Sequence, residues 1–191
     1  MVVILLAGVK VLKLHLSAPS GHFRIIHTND PQRSYPLPPY STVIGLLANI
    51  LGNKELINAM LTSNFSLGIV SKHDTISIEY TWMRNLNKVM HVNRFFLPEN
   101  RYYHENREHF GGQVPISVEV LNDVNLYIYL SHSNDMIMHT LFQNTEYPER
   151  WFSHLHLGRS EDWACIEDVS FQLLAVSNKP DDFSNATQYY Q

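Results

Sequence analysis

One cysteine, Cys165, stands among 191 residues. An intrachain disulfide is therefore excluded, and so sparing a use of thiols fits a reducing compartment. No run reaches the roughly 20 apolar residues that a membrane-spanning helix needs, because Lys10 and Lys13 interrupt the opening MVVILLAG. That opening resembles the middle of a secretory leader but has no basic segment before it, so a cytoplasmic protein with no membrane partner is expected. Internal repeats and low-complexity tracts are also missing. What is present is 45% hydrophobic and 12% aromatic residues, enough for a core that disordered chains cannot build. The length suits a single domain spanning residues 1–191.

Charge is scarce in total but unevenly spread. Residues 1–112 hold 11 Lys and Arg against 7 Asp and Glu, net +4, while residues 113–191 hold 3 against 11, net -8. The overall -4 therefore hides a basic and an acidic half, which suit different partners.

The pattern VKVLKLHL alternates with period 2 and predicts a strand with Leu12, Leu14 and Leu16 on its buried face. Helical spacing of Val43, Leu46, Leu47, Ile50 and Leu51 predicts a helix closed by Gly52 and Asn53, and KELINAML a second one. FSLGIVS and TISIEYTW read as a hairpin around KHD, and VPISVEVL and VNLYIYL as paired strands around ND. A helix capped by Asn134 and a last strand, ACIEDVSFQLL, follow. This is the order of a ferredoxin-like α+β sandwich with an excursion over residues 83–115.

That excursion carries Arg84, Lys88, Arg94, Arg101 and Arg107 beside Phe95, Phe96, Tyr102, Tyr103 and Phe110. Cations for phosphates and rings for unpaired bases are the means of single-strand recognition, although three glutamates dilute the pattern and a solvated excursion has a similar composition. In the loop after the first strand, His22, Phe23, Arg24 and Arg33 have only Asp30 as an acidic neighbour. Ser41 is placed to cap the next helix, whose first turn TVIG has no acid, so an anion at Ser41 and Thr42 and an ordinary capped helix both fit. Gly158 and Arg159 form either a plain turn or a close approach to a phosphate.

Other chemistry is less well supported. His154 and His156 lack further ligands at a recognisable spacing, so no metal is expected. Cys165 falls in an apolar strand pattern and reads as a buried inert thiol. The acidic pairs Glu161-Asp162 and Glu167-Asp168 could hold Mg²⁺ but suit solvated faces or interfaces better.

Taken together, LSAPSGHFR, SYPLPPYSTVIGLLANILG and LGRSEDWA resemble the CRISPR-associated Cas-five family over most of residues 9–174, most like its type I-B branch. The resemblance implies a ferredoxin-like, RRM-like RAMP domain with a thumb-like β-hairpin insertion at residues 83–115. It implies a non-catalytic Cascade subunit that caps the 5′ handle of crRNA and bridges the large subunit and the first backbone subunit, with no cofactor. The expected RNA-binding residues are His22, Phe23, Arg24, Arg33, Ser41, Thr42, Arg84, Lys88, Arg94, Arg101, Gly158 and Arg159. A rival reading is a metal-independent endoribonuclease that processes precursor crRNA. One branch of the family does so with a tyrosine, replaced here by Leu51, and a thumb Lys-His pair, whereas the Lys-His dipeptide of this chain, Lys72-His73, lies outside the thumb. No catalytic residue is therefore expected.

Overall fold

A computed structural model of the chain describes residues 8–84, 102–103, 106–107 and 113–175. In chain order these form β1 (Gly8–Gly21), α1 (Tyr40–Leu51), α2 (Lys54–Thr62), β2 (Phe65–Lys72), β3 (Thr75–Arg84), β4 (Tyr102–Tyr103), β5 (Asn106–Arg107), β6 (Gln113–His132), α3 (Asp135–Asn144), a 3₁₀ turn at Pro148–Arg150, and β7 (Cys165–Ala175). The main sheet is antiparallel with strand order β2-β6-β1-β7, and β3 also pairs with β6.

Period-2 alternation sends Leu12, Leu14 and Leu16 of β1 and Leu126, Ile128 and Leu130 of β6 into one core. Val43, Leu46, Leu47, Ile50 and Leu51 of α1 and Ile137, Met138 and Leu141 of α3 fill it from the same side of the sheet. All five apolar positions expected of α1 are buried, and Gly52 ends that helix with φ 62. Asn53 and Asn134 cap the next two helices through their side chains, as read from the sequence for Asn134.

Three local expectations are corrected. Helix α1 starts two residues early, at Tyr40, with Pro39 as N-cap, so Ser41 lies in the first turn and is not the cap. Residues 65–72 and 75–84 form no hairpin with each other. Both lie along one edge of β6, Lys72 opposite Asn125 and Thr75 opposite Asn122. VPISVEVL and VNLYIYL, in turn, are one 20-residue strand. The ND signal is real, since Asp123 has φ 54, but it marks an irregularity inside β6. There the Asn122 amide donates to Thr75 Oγ1 at 3.2 Å and Ser77 Oγ at 3.0 Å. The reversal lies beyond β3, so that β3 and the first half of β6 form a two-stranded arm whose far connection contains residues outside those described.

Buried Asn144 ties the helical layer together. Its amide donates to the Ile50 and Leu51 carbonyls at 3.1 Å each, satisfying orphan groups at the end of α1. Replacing Asn144 with Ala leaves those carbonyls unpaired in a dry site, a cost of about 2 kcal/mol. Thermal unfolding should show it as a fall of roughly 4–8 °C in Tm for a chain of this size, and an unchanged Tm would contradict the assigned role.

Candidate functional site

The segment after β1 is fastened to the fold. His22 N–H donates to the Leu157 carbonyl at 3.0 Å, Phe23 N–H to Ser34 Oγ at 2.9 Å and Tyr35 N–H to the Phe23 carbonyl at 2.8 Å. Gln32 bridges to the arm in both directions, its N–H donating to the Ser117 carbonyl at 2.7 Å and its carbonyl accepting from Glu119 N–H at 2.8 Å. Phe23 belongs to the core, 2% exposed. Arg24 and Arg33 remain exposed, and neither forms an ion pair among the described residues.

A second loop, between the 3₁₀ turn and β7, presses against this segment. Gly158 has φ 104, and a Cβ there would overlap the His22 carbonyl oxygen, so glycine is required by backbone packing. Arg159 is held by Asp162, with Nη2 donating to Oδ1 at 2.7 Å and Nε to Oδ2 at 2.9 Å; it also reaches Glu79 of β3 at 3.0 Å. Asp162 is fully buried and accepts a further bond from Ser20 Oγ at 2.6 Å. Burial alone would raise the Asp162 pKa, but the guanidinium and the Ser20 hydroxyl hold it below the ordinary 3.8. The guanidinium pKa is raised by the same pairing.

The solvated acidic pair expected at Glu161-Asp162 is thus corrected: Asp162 is the buried anchor of Arg159. The hint lay in GRSED, which puts an acid three residues after the arginine. Cys165, read as buried, is exposed at the start of β7. No group of three or more metal-ligating side chains occurs among the described residues.

Between the post-β1 segment, the N-terminus of α1, the arm and Gly158-Arg159 lies a cavity of about 830 Å³. His22, Phe23, Arg24, Ser41, Thr42, Gly158 and Arg159 all line it. Seven of the twelve residues proposed from sequence therefore share one wall system, although they come from three separate stretches of chain. Arg33 does not line it, and Arg84 ends β3. Lys88, Arg94 and Arg101 lie outside the described residues. Gln32, Tyr35, Leu37, Thr81, Ile116 and Val118 complete much of the lining; Tyr35 and Leu37 lie within the stretch SYPLPPYSTVIGLLANILG but were not among the expected site residues.

The first turn of α1, whose Ser41 and Thr42 line this space, has no acidic side chain, so the positive end of the helix dipole has no fixed counter-charge there, although the Thr42 and Val43 N–H groups already donate to the Pro39 carbonyl. His22 is 5% exposed. Its Nδ1 lies 2.7 Å from the Glu119 carbonyl oxygen, an acceptor, so Nδ1 carries the proton. Nε2 is then an acceptor, and it is buried without a partner among the described residues. Burial pushes the imidazole pKa below 6.5, against the pull of the Glu119 carbonyl and with the help of nearby Arg159.

The sequence matches the model of a family described as CRISPR-associated protein (Cas_Cas5) over residues 11–191. No curated protein sequence matches it. Among solved structures, a chain described as from a CRISPR RNA-guided surveillance complex is 14% identical, with a TM-score of 0.52 over 88% of this chain and 64% of its own. A protein described as a Cas protein is 15% identical, with a TM-score of 0.43 over 90% and 66%. A chain from a type III-B Cmr-beta complex bound to cognate target RNA and AMPPnP is 17% identical, with a TM-score of 0.36 over 89% and 64%. The first of these has the similarity of a shared fold. This chain spans less than two thirds of the length of all three.

Breaking the buried pair should unfasten the cavity. Asp162→Asn leaves the guanidinium without its buried counter-charge, which should cost about 3 kcal/mol at neutral pH. The folded pKa of Asp162 lies below the unfolded 3.8, so its stabilisation is present above that pH and lost as pH falls through the folded value. Denaturant titrations should therefore show the wild type and Asp162→Asn separated at pH 7 and converging well below pH 3.8; a constant gap would refute this account.

Proposed function

Because the chain belongs to the CRISPR-associated Cas-five family, we propose that it is a non-catalytic, RNA-binding subunit of a type I Cascade effector, in the type I-B branch. It caps the 5′ handle of crRNA and bridges the large subunit and the first backbone subunit. The strand order β2-β6-β1-β7 with two helical crossovers on one face supports a ferredoxin-like reading, and the β3–β6 arm supports a thumb inserted between them. The observation that carries the proposal is the convergence of His22, Phe23, Arg24, Ser41, Thr42, Gly158 and Arg159 on one cavity. An exposed cation and an uncompensated helix N-terminus there suit phosphate, and the apolar wall suits a base.

One observation favours the rival endoribonuclease. The Nε2 of His22 has the protonation state of a general base, although it is buried and would have to be uncovered to reach a 2′-OH. Against it stands Leu51, buried and without a proton to transfer, at the position where the processing branch carries tyrosine. Incubating the purified chain with repeat RNA, with and without Mg²⁺, separates the readings. The RNA should emerge intact, while site-specific cutting lost on His22→Ala would establish the enzyme.

Binding itself should be electrostatic. Replacing Arg24 with Ala should lower the slope of log K against log salt by about one unit, and replacing Arg84, Lys88 and Arg94 together by about three, if each cation neutralises one phosphate. Fluorescence anisotropy on a labelled handle RNA over a salt series measures both, and unchanged slopes would remove the RNA contact from these residues.

A further inference from the structure

A second pocket, sharing no lining residue with the first, opens beside the 3₁₀ turn. Its volume is about 320 Å³, close to the lower limit of about 300 Å³ for ligand sites, so it takes a group the size of one side chain. Trp151, His154 and Trp163 wall it, and Pro148, Leu155 and Cys165 complete most of the lining. Both indole N–H groups are spent inside the chain, Trp151 Nε1 on the Asn144 carbonyl at 2.7 Å and Trp163 Nε1 on the Ser160 carbonyl at 2.9 Å. His154 Nε2 donates to the same Ser160 carbonyl at 3.4 Å, and its ring centroid lies 5.4 Å from that of Trp163. What these rings have left to offer is their π faces, oriented before any ligand arrives. Trp163 is nevertheless 65% exposed, so core packing does not account for it.

The chain around this pocket is acidic. Residues 146–168 carry six Asp and Glu against two Arg, net -4. Both arginines are engaged, Arg159 by its carboxylates and Arg150 by Asn144 Oδ1 at 3.3 Å and the face of Tyr147. Glu149 follows Pro148 of the lining and forms no ion pair among the described residues. The Glu161 carbonyl accepts the Trp163 N–H at 3.0 Å, which fixes a second acid next to a wall residue, although its carboxylate is partly balanced by Arg159 at 3.6 Å. Such a surface repels phosphate, so RNA is not its ligand.

The negative face of an indole ring and the surrounding negative potential select the same ligand, a cation. Arginine suits flat walls better than lysine, because a planar and weakly hydrated guanidinium stacks on a ring at lower desolvation cost than an ammonium. We infer that this pocket takes an arginine side chain presented by a partner protein, with the guanidinium stacked on the exposed face of Trp163. Tyr147 and Phe152, exposed in the same stretch, extend the contact around it. Aromatic rings around an inserted arginine are a common composition for the energetic centre of a protein interface. The inference rests on the bridging role proposed above for its class of partner, and gives one of the protein contacts a site that shares no lining residue with the RNA cavity.

The test uses the full chain with ¹⁵N-labelled tryptophan and three blocked pentapeptides, alanine throughout except for a central arginine, citrulline or phenylalanine. Citrulline has the shape of arginine without its charge. The arginine peptide should shift the Trp151 and Trp163 indole resonances saturably at millimolar concentration and leave that of Trp82, on the arm, in place. It should bind roughly fivefold more tightly than either of the others, and added salt should narrow that gap. Trp163→Ala should weaken the arginine peptide by about fivefold and leave the affinity for handle RNA unchanged. Equal binding of the arginine and citrulline peptides to the wild-type chain overturns the inference without reliance on any variant, and so does the absence of a saturable shift. Tightest binding by the phenylalanine peptide would make this an apolar docking pocket, and loss of handle RNA binding in Trp163→Ala would make it part of the RNA site; each replaces the inference. In all these cases RNA binding by the wild-type chain leaves the proposed function standing, whereas an arginine preference without any RNA binding would end that function and leave the pocket.

Discussion

The bidentate pair between Arg159 and buried Asp162 is the contact on which the arrangement of the cavity depends. Asp162 receives Ser20 from the end of β1, Arg159 reaches Glu79 on β3, and Gly158 lies against the backbone of His22. Three distant stretches of sequence are thereby held at one point. Two charges taken from water are costly unless their remaining hydrogen-bonding capacity is met, and here both carboxylate oxygens of Asp162 and three nitrogens of the Arg159 side chain have partners. The pair gives specificity of position: no apolar substitute would fix the rotation of the loop against His22 in the same way.

The length of β6 is the second constraint. A strand of 20 residues is longer than the layer of helices can cover, so its second half lies in the core sheet and its first half extends as an arm. On that arm Ile116, Val118 and Val120 form a small apolar cluster of their own. The post-β1 segment folds across it through Gln32, which closes the cavity on the side that the helices leave open.

Elements with a complete local signal were legible in the sequence. Helix α1 showed its five buried positions and its left-handed glycine, and α3 its asparagine cap, because helices are specified within a few turns. The strand pairings were not, and the reason is physical. KHD and ND have the composition of turns, but whether a positive φ closes a hairpin or relieves a long strand depends on which strands lie alongside, and that is set by contacts far away in sequence. Asp123 provides the left-handed residue in either case. The site was half legible for a similar reason. GHFR, PPYST and LGRSED each had phosphate-site character, but their convergence is a tertiary fact, and the burial of Asp162 depends on Ser20, 142 residues away.

That burial changes what the cations in the site can do. Arg159, the arginine beside the glycine, is surrounded by Asp162, Glu79 and Glu161, so its charge is balanced before any ligand arrives. Arg24 and the helix N-terminus remain as sources of positive potential at the cavity, enough for about one or two phosphates and for a correspondingly shallow salt dependence. A ligand bound here through charge alone would be held weakly. An apolar wall is better suited to stacking against one base than to gripping a backbone, which is the usual division between contacts that specify and contacts that position. Under the proposed RNA-binding function, most of the affinity would then come from cations elsewhere, and the stretch between β3 and β6 is the richest source of them in the sequence.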